Sequence, residues 1–394
     1  EERNINFYCW VSNDELIYYK EKEGSRFQTD LYIVNKNGTQ ERVLSNDGKS
    51  KVRLLEDQLI EDKFLLVSSN KRDSTVFDVY KLNVRDGQMI VAAKNPGNFT
   101  DWLTDSKGKL RMAISTDGVN ESVWYRENEA RPFQKIITNN FKTTLWPVAF
   151  SENKPNTIYA ISNVNRDKNA LVEIDCITGK EKNVLFAEDT LNVVEAQYSK
   201  RRGKMDFVVY ETWKKEKHYL SDDAKKLYQG LEKLIPDAES KIIHQDKNEQ
   251  HFIVRTFTDR SPGAYYLYNS ESNSLKKLSD INPSIKEDEM CEMKPISYIT
   301  SDGFKINGYL TLPLGVQPEN LPVVVMPHNG PGQRNSWGFN ADVQFLANRG
   351  YAVLQVNYRG STGYGKEFYA AGFKQWGQKI QQDIDDGVHW LIKQ

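Results

Sequence analysis

The hydrophobic pattern of this chain is short-ranged and recurrent. Five- and six-residue runs, alternating or wholly apolar, are bounded by polar turns: ELIYY (Glu15–Tyr19), FLLVS (Phe64–Ser68), LRMAIS (Leu110–Ser115), TIYAIS (Thr157–Ser162), MDFVVY (Met205–Tyr210) and HFIVR (His251–Arg255). Such runs predict β-strands. About 12 to 15 residues after each lies a second run, and these resemble one another: DLYIVN (Asp30–Asn35), DVYKLN (Asp78–Asn83), SVWYRE (Ser122–Glu127), ALVEID (Ala170–Asp175), KHYLSD (Lys217–Asp222) and AYYLYN (Ala264–Asn269). With Tyr32, Tyr80, Trp124, Val172, Tyr219 and Tyr266 as equivalents, the spacings are 48, 44, 48, 47 and 47 residues. In several repeats a turn signal leads to a third strand: Asn37-Gly38 before ERVL, Asp86-Gly87 before QMIVAA, Thr178-Gly179 before KEKNVLF. Short strands at a fixed period of 40–50 residues are the signature of propeller blades. A set of β-sandwiches would give no reason for near-equal spacings. Six blades are visible, and a leading seventh is expected in the intact parent.

The pattern changes over Ile281–Pro295, INPSIKEDEMCEMKP, which reads as a boundary. It divides a propeller (1–285) from a second domain (286–394). There ISYIT-SDG-FKINGYLTL predicts a β-hairpin, and Val323–Met326 a strand buried on both faces. The loop Pro327–Gly332 follows, then a helix from Ala341 to Arg349 stopped by Gly350, and a second buried strand, Tyr351–Tyr358. Strand, helix and strand form a βαβ unit. Over Gly377–Lys393, Ile380, Ile384, Val388 and Leu391 share a helical stripe suited to covering that sheet.

Composition narrows the function classes. The chain has 394 residues, with 53 Lys+Arg against 54 Asp+Glu and a net charge of −1. So even a balance points to neither nucleic acid nor an anionic membrane as partner. The Lys214-Lys215-Glu216-Lys217 patch reads as a solvated strand end or loop. No run reaches the roughly 18 apolar residues of a membrane span. The three cysteines, Cys9, Cys176 and Cys291, are widely spaced in apolar stretches and read as buried thiols rather than a disulfide framework or metal site. The start, EERNINFYCW, is no secretory signal and enters directly on a strand-like segment, so an upstream piece is expected to have been trimmed. The compartment stays open between cytoplasm and periplasm or exterior.

The second domain resembles the prolyl oligopeptidase family of serine peptidases, especially its acylaminoacyl-peptidase and dipeptidyl-peptidase branches. The matching segments are PHNGP (327–331), FLANRGYAVLQVNYRGSTGYG (345–365), FKQWG (373–377) and QDIDDGVHWLI (382–392). The resemblance implies an N-terminal propeller before the N-terminal portion of an α/β-hydrolase domain. It also implies acyl transfer to water by a Ser-Asp-His triad, with short peptides as substrates and no cofactor or metal. In this family the serine elbow follows the helix that ends near Gln394, so all three triad members are expected downstream and the chain alone should be inactive. The missing catalytic portion is then a partner, and homo-oligomerisation stays open. The chain contains no G-x-S-x-G. Its nearest approach, Arg359-Gly360-Ser361-Thr362-Gly363, has arginine for the first glycine, which argues against Ser361 as nucleophile.

What the resemblance leaves in this chain is an oxyanion-hole loop, with Gly330 N–H as donor and His328 orienting it. Asn329 stands where the family pattern has glycine. Asn tolerates unusual backbone angles, and its side chain could add a donor. Arg359, Gly360, Gly363 and Tyr364 form a second loop expected to shape the cavity, with ion pairing of Arg359 inside the fold as the competing role. Of the five histidines, His218, His244 and His251 fall in the repeats and His389 on a surface helix. Two rival readings are a propeller binding module with a hydrolase remnant as a cap, and an esterase or lipase. The first must tolerate an exposed sheet edge and apolar face; the second leaves the propeller unexplained.

Overall fold

A computed structural model describes residues 4–22, 28–45, 50–56, 59–61, 63–330 and 332–394. The chain divides into two compact units. One comprises Glu1–Phe141 with Lys154–Ile158 and Asp175–Lys180, the other Lys142–Asn153, Tyr159–Ile174 and Glu181–Gln394. Among the described residues no helix is long and apolar enough to cross a membrane.

The repeats fold into six consecutive sheets, spanning 5–43, 52–93, 99–140, 145–186, 193–219 and 239–280. In each, strand order follows chain order, as in an antiparallel meander. The paired runs of the sequence are the second and third strands. Ile17 faces Ile33 in the first sheet, and Val67 faces Tyr80 in the second. Their inward side chains, among them Ile17, Leu31, Ile33, Leu65, Val67 and Leu82, are almost wholly buried and share one core. The turn glycines fall where the third strand hands over to the fourth, with φ of +81° at Gly38, +73° at Gly87 and +69° at Gly179.

The fifth sheet departs from the rule. It has three strands, and after Lys215–Tyr219 the chain enters helix α1 (Asp222–Leu234), an element the repeat alignment did not anticipate. Ser221 caps it, its Oγ accepting from Ala224 N at 3.2 Å, and Asp222 and Asp223 favour the positive end of the helix dipole. Ala224, Tyr228 and Leu231 form the buried stripe against Phe207, Phe252 and Tyr268. The lysine patch is less solvated than its composition suggests. Lys214 pairs with Glu239 at 2.7 Å and Lys215 with Glu195. Lys217 lies over the Tyr228 ring, and burial pulls its pKa down.

The last sheet is mixed, with strands β1 (Met293–Ile299), β2 (Lys305–Thr311), β3 (Val323–Val325) and β4 (Ala352–Asn357) in the order β1-β2-β4-β3. β1–β2 and β2–β4 are antiparallel, β3–β4 parallel. Helix α2 (Ala341–Ala347) makes the β3–β4 crossover, capped by Asn340. Helices α3 (Lys366–Ala370) and α4 (Lys379–Ile392) follow β4, and Ile380, Ile384 and Leu391 pack on Leu354 and Val356. Two expectations are corrected here. The boundary segment ends before Pro295, which lies inside β1 opposite Tyr309; β1 is an edge strand, where a missing N–H is tolerated. β3 is not buried on both faces: it forms the other edge, and Val323 stays 42% exposed. β4, between two neighbours, has all six residues buried.

The boundary segment is held rather than loose. The buried Gln344 side chain of α2 accepts from Cys291 N at 2.8 Å and donates to the carbonyls of Cys291 at 2.7 Å and Asp259 at 3.0 Å. All three cysteines are buried thiols outside any disulfide. At the β2–β4 joint, a Cβ on Gly308 would sit 2.3 Å from the Gln355 carbonyl oxygen, so the strands close only because position 308 lacks a side chain. Gly308→Ala is expected to cost about 3 kcal/mol, against about 1 kcal/mol for Gly303→Ala, whose Cβ meets open space although its φ is +84°. Urea unfolding of the two variants checks the ranking.

Candidate active site

Two loops leave the carboxyl ends of the parallel pair, where ligands of open α/β sheets bind. The first runs from β3 through Pro327, His328, Asn329 and Gly330; Pro331 of the same motif lies outside the described residues. The second runs from β4 through Tyr358 to Gly365. Backbone bonds join them: Gly332 N donates to Gly360 O at 3.1 Å and Thr362 N to Gln333 O at 3.0 Å.

Side chains complete the junction. The Tyr358 hydroxyl lies 2.6 Å from Gly330 O and 3.1 Å from His328 O, and its ring stacks on the His328 imidazole at 4.2 Å and 18°. The Ser361 hydroxyl is 2.6 Å from Tyr358 O and 2.7 Å from His328 Nε2. A carbonyl only accepts, so the serine proton goes to Tyr358 O and the serine oxygen accepts from His328 Nε2–H. That is the reverse of a nucleophilic pair, in which imidazole takes the serine proton. Ser361 is also 0% exposed, so the resemblance of its loop to a nucleophile elbow ends at the sequence.

Gly330 adopts φ +54°, and among the described residues nothing accepts its N–H. Asn329 is exposed and does not take a positive φ, so its replacement of glycine carries no backbone strain. His328 is half-buried. Burial lowers its pKa, and the carbonyls of Asn329 and Gly330 offset this only partly. A histidine kept neutral by the fold leaves stability unaffected above the unfolded value of about 6.5. As pH falls below that value the unfolded chain takes up the proton first and stability declines. Unfolding free energy is expected to fall between pH 6.5 and 5 in the wild type, and this component should be absent in His328→Gln.

The second loop divides its roles. Arg359 turns inward: its Nε and Nη2 bind Asp383 at 2.9 and 2.6 Å, and its Nη1 and Nη2 bind Asp302 at 3.0 and 2.9 Å. The ion-pair role is therefore the one it fills in the fold. Gly360 has φ +96° and passes so close to Gly372 that a Cβ on the latter would lie 2.6 Å from its Cα. Gly363, at φ +88°, makes room for Arg334, whose Nη1 would be 2.3 Å from a Cβ there. The Tyr364 hydroxyl accepts from Asn357 Nδ2 at 2.8 Å and Arg334 Nη2 at 3.1 Å; burial pushes its pKa up. Arg334 in turn faces Glu211 of the fifth sheet at 3.4 Å, both side chains nearly inaccessible. Tyr358, Arg334 and Glu211 were not legible from sequence: nothing in the chain's spacing joins them.

Of the other histidines, His218 packs on Phe186, His251 bonds Asp246 at 3.1 Å, and His244 and His389 are exposed. Among the described residues no group of three or more His, Cys, Asp or Glu is arranged to hold a metal.

The model of the prolyl oligopeptidase family matches residues 337–394. The chain is 27% identical to dipeptidyl aminopeptidase BIII of Pseudoxanthomonas mexicana, over 100% of this chain and 58% of that protein. It is 24% identical to dipeptidyl peptidase family member 6 of Caenorhabditis elegans, over 99% of this chain and 58% of the relative. Among solved structures, a prolyl endopeptidase superposes with a TM-score of 0.75 at 12% identity, covering all of this chain and 59% of that one. A puromycin-hydrolysing peptidase of Mycobacterium tuberculosis gives 0.72 at 11% identity, over 98% and 63%. The likeness to this family is thus carried by the family model over residues 337–394 and by relatives below 30% identity over the whole chain, which spans a little under three-fifths of the length of the two curated relatives.

Proposed function

We propose that the chain is the propeller and the first part of the catalytic domain of a serine peptidase that cleaves short peptides. The six sheets are its visible blades, 1–285 the propeller and 286–394 the hydrolase portion. The observation that carries the reading is the Gly330 N–H, which no acceptor among the described residues takes, on the loop beyond β3. A donor so placed stabilises the oxyanion of a tetrahedral intermediate, for about 3 kcal/mol of the barrier. The neighbouring Gly360, Gly363 and Tyr364 set the walls of that cavity, on a loop that Arg359 anchors from inside the fold. The free edge of β3 is suited to a further parallel strand, which would bring the serine elbow beside Gly330 and supply the second donor. The aspartate and histidine follow in the order of this fold. The propeller would restrict entry to short peptides.

The test is labelling by a fluorophosphonate probe, with turnover of peptide p-nitroanilides alongside. The full encoded protein is expected to label and turn over, and a chain ending at Gln394 to do neither. Labelling of residues 1–394 alone would sink the assignment of the nucleophile beyond Gln394.

A further inference from the structure

The Ser361–His328 bond between the two loops has a defined direction, and that direction has consequences for the donor. Ser361 is sealed from solvent and gives its proton to Tyr358 O, so His328 must carry its proton on Nε2. Nδ1, 3.3 Å from Asn329 O, is then left without a proton and cannot hold that carbonyl. The task falls to Tyr358, whose single hydroxyl proton goes chiefly to Gly330 O at 2.6 Å, with His328 O at 3.1 Å and His328 Nδ1 at 3.3 Å as weaker acceptors on the same loop. Because a trans peptide points its C=O and N–H in opposite directions, an Asn329 carbonyl turned toward the imidazole sends the Gly330 N–H away from it. Swinging that N–H back would require Tyr358 to release Gly330 O and to unstack from the ring.

We propose that Ser361 and Tyr358 are positioning residues of the oxyanion loop: Ser361 sets the tautomer of His328, and Tyr358 holds the loop carbonyls so that Gly330 N–H faces the reacting group. The inference rests on the peptidase reading above but makes a separate demand. If His328 instead carried its proton on Nδ1, that nitrogen would hold Asn329 O directly, and Tyr358 would be dispensable.

Two measurements on the full encoded protein decide it. Long-range proton–nitrogen correlation of ¹⁵N-histidine protein, with His328 assigned by loss in His328→Gln, is expected to show the Nε2–H form, and a mixed population in Ser361→Ala. In Tyr358→Phe, kcat is expected to fall about 10- to 100-fold with KM within about twofold. Affinity for a peptidyl trifluoromethyl ketone, which mimics the oxyanion, should fall by the same factor. An Nδ1–H tautomer in the wild type overturns the proposal, as does a Tyr358→Phe enzyme with unchanged kcat and ketone affinity, or one in which only KM rises. If Tyr358→Phe does not fold, Ser361→Ala, which removes one oxygen, carries the kinetic test; a shifted tautomer with full kcat and ketone affinity counts against the proposal. A wild-type protein with no turnover overturns the peptidase reading, while the tautomer still decides whether the network holds as described.

Discussion

Asp383→Ala is expected to cost about 3–5 kcal/mol of folding stability, the range for removing one partner of a buried ion pair. Asp383 is 0% exposed and sits on α4 facing the start of the second site loop. Its Oδ1 accepts from Arg359 Nη2 at 2.6 Å, and its Oδ2 accepts from Arg359 N and Nε, both at 2.9 Å. The same guanidinium reaches Asp302 in the β1–β2 turn, which also accepts from Thr300 Oγ1 at 2.6 Å and lies 3.3 Å from Lys379 Nζ. Hairpin turn, helix and site loop thus meet on one side chain, and deleting Asp383 leaves Arg359 buried with half its acceptors. Asp385→Ala, on the exposed face of the same helix, is expected to stay within about 0.5 kcal/mol. Denaturant unfolding of the pair measures the difference. The network also has an acid limit. The Arg359 bonds hold the Asp302 carboxyl well below the usual carboxylate range. Its contribution is therefore present above the unfolded value of about 3.9 and lost as pH falls further.

What the chain reveals without coordinates depends on where each strand sits in its sheet. In the four-stranded sheets the second and third strands have neighbours on both sides and carry most of the buried positions, so their apolar runs stand out. Thr157–Ser162 is buried at every position. Edge strands are solvated and carry little pattern: Glu181–Phe186 and Ser274–Asp280 are mostly exposed. Some fourth strands were still legible because a glycine turn announces them. The one after Asn269 was not, since Asn273 takes the positive φ, +48°, that glycine takes elsewhere. Helix α1 replaces a strand at a point where the repeat predicts continuation, and only its Ser-Asp-Asp start hints at the change.

The site was legible as two loops but not as a network. PHNGP and RGSTGYG identify the loops because glycine and proline there serve backbone conformation. Which atom gives a proton to which depends on distances that spacing does not encode. Ser361 shows the limit: arginine in place of the first elbow glycine already argues against a nucleophile, but only its burial and the carbonyl beside it reveal an internal donor.

The second buried ion pair behaves differently, and the contrast is measurable. Arg334→Met is expected to cost about 3–5 kcal/mol, because it strands the Glu211 carboxylate, 2% exposed, without a countercharge. It also removes the cation over the Tyr364 ring, 4.6 Å from its centroid, and the donor to the Tyr364 hydroxyl. Lysine should not restore the loss, since a point charge cannot stack and bond at once. Unlike Arg359–Asp383, however, this pair is poorly bonded. The contact is 3.4 Å, and among the described residues Arg334 Nη1 and Glu211 Oε1 are buried without a hydrogen-bond partner. Desolvation of both charges is therefore weakly compensated. Replacing both by apolar residues, Glu211→Leu with Arg334→Met, is expected to recover most of the stability lost in the single variant. The matching double replacement, Asp383→Leu with Arg359→Met, should recover little, because Arg359 also bonds Asp302 and Asp383 also receives the Arg359 N–H. Two double-mutant cycles read by urea unfolding test this: a large coupling energy at 211/334 with a near-wild-type double variant is the expected result. Additive losses there would show that Arg334 acts through its contacts with Tyr364 rather than through its pairing with Glu211.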